Sequence, residues 1–199
     1  MAYIVAATGN SHKLDEYRQL LNGQNIELKS LLDYPAYPGV EENGSTFAEN
    51  AAIKALDACK YCDVPAFADD SGLEVEALDG RPGIHSARYA ATDAERIAKL
   101  LDELKDKTNR RARFVCVIAI AANGEVIETF EGEIKGTIID SPRGSNGFGY
   151  DPIFQPDGYD CTFAELSREE KNRISHRANA YAKALEFVEN EMSILDDEF

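Results

Sequence analysis

The chain has 199 residues with 36 acidic and 21 basic side chains, and its net charge of -15 excludes broad electrostatic attachment to nucleic acid or to an anionic membrane surface. That length favours a single domain over residues 1–199, at most in two lobes, and an anionic ligand would need a locally basic pocket. No apolar run is long enough to span a bilayer and the opening Met1-Ala2-Tyr3-Ile4-Val5 lacks a signal-peptide pattern, so a cytoplasmic protein is expected.

Tyr3 to Ala7 reads as a buried strand, stopped by the turn residues Thr8-Gly9-Asn10. A helix capped by Asn10 or Ser11 follows, with Leu14, Tyr17, Leu20 and Leu21 at helical spacing and Asn22-Gly23 as its stop. Ile26 to Leu32 is a candidate second strand. Pro35, Pro38 and Gly39 then lead into the polar loop Glu41-Glu42-Asn43-Gly44. Thr46-Phe47-Ala48-Glu49 fits a capping box at the head of an Ala-rich helix running to about Tyr61. A short apolar strand ends in Asp69-Asp70, a glycine turn follows, and Leu73 to Leu78 is a further strand before the turn at 79–83. Thr92-Asp93-Ala94-Glu95 is a second capping box, with Ile97, Leu100, Leu101 and Leu104 as a core stripe behind it. Asn123-Gly124 joins Phe114–Ala122 to Glu125–Ile134, a strong hairpin signal. A glycine-rich loop spans 144–151, and Ser167 to about Met192 reads as one helix opened by Ser167-Arg168-Glu169-Glu170. Helices alternating with strands around a hairpin give a mixed α/β sheet covered by helices.

Adjacent carboxylates ending a buried strand can hold a hard divalent cation and accept a proton from water, so Asp69-Asp70 points to a metal-assisted hydrolase; the alternative is that both only shape an Asp-Ser-Gly turn. Thr8-Gly9-Asn10-Ser11-His12-Lys13 joins a strand to a helix N-terminus, which favours an anion, but the Walker spacing is absent. Lys54 by default is a surface lysine. Phe148 between glycines offers a stacking face, and His176-Arg177 supplies planar donors for a carbonyl oxygen or a phosphate. Cys59-Lys60-Tyr61-Cys62 has a redox or zinc spacing, yet with Cys116 and Cys161 apart from it all four cysteines read as reduced, mostly packing thiols. Together these features suit a nucleoside triphosphate.

The same blocks resemble the inosine triphosphate pyrophosphatase family, also called Ham1-like. The resemblance runs nearly end to end: Ala7-Thr8-Gly9-Asn10 with Lys13, Thr46-Phe47 with Glu49-Asn50-Ala51 and Lys54-Ala55, Ala68-Asp69-Asp70-Ser71-Gly72-Leu73, Pro82-Gly83, Ser86-Ala87-Arg88-Tyr89, Gly147 to Phe154, and Glu169-Glu170-Lys171 with Ser175-His176-Arg177. It implies an elongated mixed-sheet α/β fold of two lobes with a cleft, a homodimer, and magnesium-dependent cleavage of ITP, XTP and their deoxy forms to the monophosphate and pyrophosphate. Carried over by position, Thr8, Gly9, Asn10, Ser11, His12, Lys13 and Lys54 would hold the triphosphate. Ser71, Phe148, Gly149, Tyr150, Asp151, Lys171, His176 and Arg177 would contact the nucleotide. Asp70 would be proton acceptor and metal ligand, joined by Glu41 or Glu42, and the sequence does not decide between those two. Two rivals stand beside this reading: a non-catalytic purine nucleotide sensor, against which the retained carboxylates count, and a nucleotide-selective phosphotransferase, which would release no pyrophosphate.

Overall fold

The computed structural model describes residues 3–21 and 27–196, and the predicted helix stop at Asn22-Gly23 and strand start at Ile26 lie outside them. Six strands form one mixed sheet in the order β2-β1-β3-β4-β5-β6: β1 is Tyr3–Ala6, β2 Glu27–Ser30, β3 Ala66–Val75, β4 Arg111–Ala122, β5 Glu125–Ile138 and β6 Phe154–Pro156. Five α-helices are described: α1 Ser11–Leu20, α2 Phe47–Cys62, α3 Asp93–Glu103, α4 Arg168–Ile174 and α5 His176–Asp196. The predicted mixed α/β class is what the chain adopts.

The chain divides into two compact units, one made of residues 1–70, 117–132 and 177–199 and the other of 71–116 and 133–176. In the first, β1 pairs in parallel with β2 on one side and with β3 on the other. Strand order therefore reverses at β1. Right-handed crossovers then put α1 and α2 on opposite faces of these strands, and the crevice at the carboxyl ends of β1 and β3 is the topological switch point where parallel sheets bind ligands. Asn10 caps α1, its side chain accepting from the His12 and Lys13 amides, while Leu14 and Tyr17 face inward and Tyr17 meets Phe67 edge-on at 4.9 Å. On α2 the buried set Phe47, Ala51, Ala55 and Ala58 follows the helical period.

In the second unit, Leu73, Val75, Leu100, Leu104, Phe154 and Phe163 belong to one buried cluster, and Ile97 joins it as its stripe predicts. The boxes at Thr92-Glu95 and Ser167-Glu170 form with both reciprocal bonds. The hairpin is as read: Asn123 and Gly124 take the positive φ values of 52° and 79° that a two-residue turn between antiparallel strands requires.

Four expectations are corrected. At α2 only half of the predicted box forms: Thr46 accepts from the Glu49 amide, but the Glu49 carboxylate reaches Ser45. The predicted strand from Ile26 to Leu32 stops at Ser30 and a 3-10 turn covers Leu31–Asp33, where the Asp33 carboxylate caps Ser30. The predicted single C-terminal helix is broken at Ser175, whose ψ of 155° is extended; capping signals mark starts, and an internal serine that competes for backbone bonds escapes them. Most consequential, β3 does not end at Asp69-Asp70 but runs without a turn through Ser71 and Gly72 to Val75, and 76–78 form a 3-10 turn where strand was predicted. Turn chemistry needs an Asp side chain bonded to nearby backbone, and here both carboxylates are engaged by lysines, leaving the backbone to the sheet.

Candidate active site

In the first unit a charge centre forms where α2 meets β3. Lys54, predicted by default to be a surface lysine, is instead largely enclosed. Its Nζ lies 3.1 Å from Asp70 Oδ1 and 2.9 Å from Glu42 Oε2, so two carboxylates converge on one ammonium. Glu41 is exposed. Asn50, one helical turn before Lys54 on the same face, donates to Asp70 Oδ2 at 3.3 Å, so the i, i+4 pair Asn50 and Lys54 grips one carboxylate. Burial raises the Asp70 pKa from its ordinary value, and the Lys54 charge opposes that without cancelling it. For Lys54, burial alone would lower the pKa, but the carboxylates of Asp70, Asp69 and Glu42 outweigh it and the net shift is upward. A carboxylate readier than usual to hold a proton, beside a firmly cationic lysine, suits a proton acceptor working next to developing negative charge.

Asp69 is different. It is 3 % exposed, with Lys13 Nζ at 2.8 Å and an Arg177 amino nitrogen at 3.5 Å from the same oxygen, Oδ2. Burial would raise its pKa, but Lys13, Arg177 and Lys54 together hold it far below the usual range, so it is a permanent anion. Arg177, 2 % exposed, also makes a short charge-assisted bond to Glu16. Asn10 and Thr8 shape the loop after β1: Thr8 Oγ1 accepts from the Asn10 amide at 3.1 Å, and Asn10 Oδ1 takes the His12 and Lys13 amides. Gly9, Asn10, Ser11 and His12 are exposed, and a side chain added at Gly9 would meet only open space.

In the second unit the 147–151 segment is tied down by two carboxylates. Asp151 Oδ2 accepts from the Phe148 amide at 2.9 Å and from Lys171 Nζ at 2.7 Å, and the Gly149 amide donates to Asp93 Oδ2 at 2.7 Å. A Cβ on Gly147, whose φ is 74°, would collide with the Asp151 carboxylate, so only glycine permits this approach. Lys171 Nζ sits 4.7 Å from the Phe148 ring centroid, a cation on an aromatic face. Tyr150 is anchored through its hydroxyl to the Ser86 carbonyl at 3.0 Å. His176 stacks on Phe114 at 4.8 Å, and Ser71 is half-buried in β3.

The predicted residues thus gather in both units. Thr8 to Lys13, Glu42, Lys54, Asp70 and Arg177 belong to the first, and Ser71, Phe148 to Asp151, Lys171 and His176 to the second. Sequence reasoning gave no separate role to Asn50, Asp93 or Glu16. The i, i+4 spacing of Asn50 and Lys54 was a usable signal, whereas nothing local marks Glu16. The Cys59-x-x-Cys62 pair closes α2 as free thiols, Cys59 buried, and Cys116 and Cys161 are free as well. Among the described residues no group of three or more His, Cys, Asp and Glu is placed to hold a metal ion by itself, and no helix is long and apolar enough to cross a membrane.

Residues 4–187 match the model of the Ham1 family. A dITP/XTP pyrophosphatase of Desulfotalea psychrophila is 50% identical over 183 residues, covering 90% of this chain and 82% of that protein; one of Geobacillus kaustophilus is 50% identical over 188 residues, covering 92% of each. Among solved structures, a HAM1 protein from Coxiella burnetii superposes with a TM-score of 0.87 at 46% identity over 96% of this chain and all of that one. The Staphylococcus aureus Ham1 protein does so with a TM-score of 0.86 at 44% identity over 95% of this chain and 99% of its own. With sequence and backbone agreeing along almost its whole length, the chain belongs to the Ham1 family.

Proposed function

We propose that the protein hydrolyses ITP, XTP and dITP between the α and β phosphates, giving the nucleoside monophosphate and pyrophosphate and so clearing these non-standard purine nucleotides. The observation that carries this is the convergence of Glu42 and Asp70 on the Lys54 ammonium. Oxygen donors that gather around a cation are the donor set a hard divalent ion uses, and magnesium is commonly held by one or two carboxylates together with substrate phosphates. Asp70 and Glu42 would hold that ion, which when bound would offset charge on the phosphate oxygens. Exposed Glu41 takes no part in the carboxylate–lysine centre, which favours Glu42 of the two.

The remaining steps belong to the chain's own groups. Asp70 accepts a proton as water attacks the α phosphorus, the bond to the bridging oxygen breaks and pyrophosphate leaves. Lys54 and Lys13 stabilise the charge that accumulates on the departing phosphates, with the 8–13 loop providing polar contacts to the triphosphate. Phe148 is the stacking face for the purine, its loop held by Asp151, Lys171 and Asp93. The planar fork of Arg177, with five N–H donors, can serve a 6-keto oxygen as well as its carboxylates, whereas a 6-amino group would meet it with another donor. His176 and Ser71 are assigned to the nucleotide from the resemblance. A cytoplasmic homodimer completes the proposal, the location supported by four free thiols and the assembly by the resemblance alone.

Product analysis on ITP with magnesium tests it. IMP and pyrophosphate are expected, with ATP slower by orders of magnitude. IDP and phosphate would point to a phosphohydrolase, a phosphorylated acceptor to a transferase, and binding without turnover to a sensor.

A further inference from the structure

Four charged side chains of the first unit form a chain of ion pairs that begins and ends on α1. Lys13 and Glu16 lie three residues apart on α1 and so project from neighbouring positions of one helix. Between their ends stand Asp69 of β3 and Arg177 of α5. Lys13 meets Asp69 at 2.8 Å, Arg177 meets the same Asp69 oxygen at 3.5 Å, and Arg177 closes on Glu16. Two anions and two cations make the set neutral. Asp69, Glu16 and Arg177 are each at most 6 % exposed, and the Lys13 side chain is 16 % exposed. In so enclosed a set a change at one member is felt by its neighbour, because solvent cannot compensate a displaced charge.

We propose that Asp69 is a positioning residue that couples purine recognition to triphosphate handling, because one of its oxygens holds both Lys13 and Arg177. This rests on the roles proposed above, with Lys13 at the phosphates and Arg177 at the purine. It adds that the two cations do not act independently. An oxygen shared by two cations fixes the direction of each: when a keto base engages the Arg177 fork, the claim of Arg177 on Asp69 changes, and with it the seating of Lys13. A base that leaves Arg177 unengaged leaves Lys13 set for no substrate. Base choice then appears in the phosphate chemistry as well as in binding.

A double-variant cycle on kcat/KM for ITP is the test, using Lys13→Arg and Arg177→Lys, which keep both charges and change only their geometry. Two residues that work through one shared oxygen should lose less together than separately, because the first change already spoils the geometry that the second would disturb. The double variant should retain at least about fivefold more activity than the product of the single effects allows, while in an Asp69→Asn background the effects should multiply to within about twofold. Melting temperatures of the same proteins separate a purely structural Asp69, which would show coupling in stability and none in kcat/KM. If Asp69→Asn does not fold, the cycle with Asp69 in place still decides, since single effects that multiply there overturn the proposal; equal coupling with and without the Asp69 charge overturns it as well. A wild-type protein inert on ITP would instead sink the proposed function.

Discussion

Asp151→Asn should destabilise the protein by about 3 kcal/mol although the amide is nearly isosteric. The Asp151 and Lys171 side chains are 4% and 6% exposed and 2.7 Å apart, so neutralising one leaves the other's charge buried without its counter-charge. Breaking such a pair by removing one partner typically costs about 3–5 kcal/mol, and the lower end applies because the asparagine carbonyl still accepts hydrogen bonds. Its two lone pairs match the two donors that now share Oδ2, Lys171 and the Phe148 amide, so the loss is that of the charge and not of a bond. For a chain of this size about 3 kcal/mol lowers the melting temperature by roughly 6–12 °C. The assay is urea unfolding of four proteins: wild type, Asp151→Asn, Lys171→Met and the double variant, which should be more stable than the sum of the single losses predicts by at least about 2 kcal/mol. A single-variant loss below about 1 kcal/mol, with additive behaviour, would refute the claim that this pair carries buried charge. KM for ITP should rise in Asp151→Asn as the Phe148 platform loosens.

Asp70→Asn should reduce ITP turnover to near background without lowering the melting temperature. Its folded-state pKa is raised, so whatever stability it contributes is present at low pH and lost as pH rises through that pKa, and Lys54 keeps the Glu42 carboxylate as counter-charge when Asp70 becomes an amide. Unimpaired kcat in the folded variant rejects it as base. Asp69→Asn has the opposite sign: its folded pKa is depressed, so its contribution is full above the unfolded value of about 3.9 and declines only as pH falls below that. The stability gap between wild type and Asp69→Asn should be constant from pH 8 to about 5 and shrink in stronger acid, and a gap that widens there contradicts the assignment. Lys54→Met should lower kcat/KM for ITP by about 10²-fold or more, the scale of losing one group that stabilises transition-state charge, and a change under about threefold removes Lys54 from the charge-stabilising groups.

Much of this was legible in the chain itself because local signals fix it. Asn123-Gly124 dictates a turn whatever surrounds it, and the boxes at Thr92 and Ser167 satisfy helix donors from within four residues. Where the sequence misled, distant partners decided. Asp69-Asp70-Ser71-Gly72 has the composition of a turn, but its carboxylates are engaged by lysines 56 and 16 residues away in the chain and its backbone belongs to a strand between β1 and β4. Arg177 could be recognised as a functional donor, but its burial against Glu16, 161 residues earlier, has no local signature. The default assignment of Lys54 to the surface failed for the same reason, since the solvation of a charge depends on what folds over it.

The unbroken course of β3 has an evolutionary corollary. Side chains alternate along a strand, so neighbours in sequence point to opposite sides of the sheet, and Asp69 and Asp70 can answer to separate helices only because no turn intervenes. Inserting or deleting a single residue between Ala66 and Asp69 would exchange their orientations, sending the permanent anion toward α2 and the proton acceptor toward α1. Two identical amino acids side by side are therefore not interchangeable copies, and this stretch should tolerate substitution at Phe67 far better than any change in spacing.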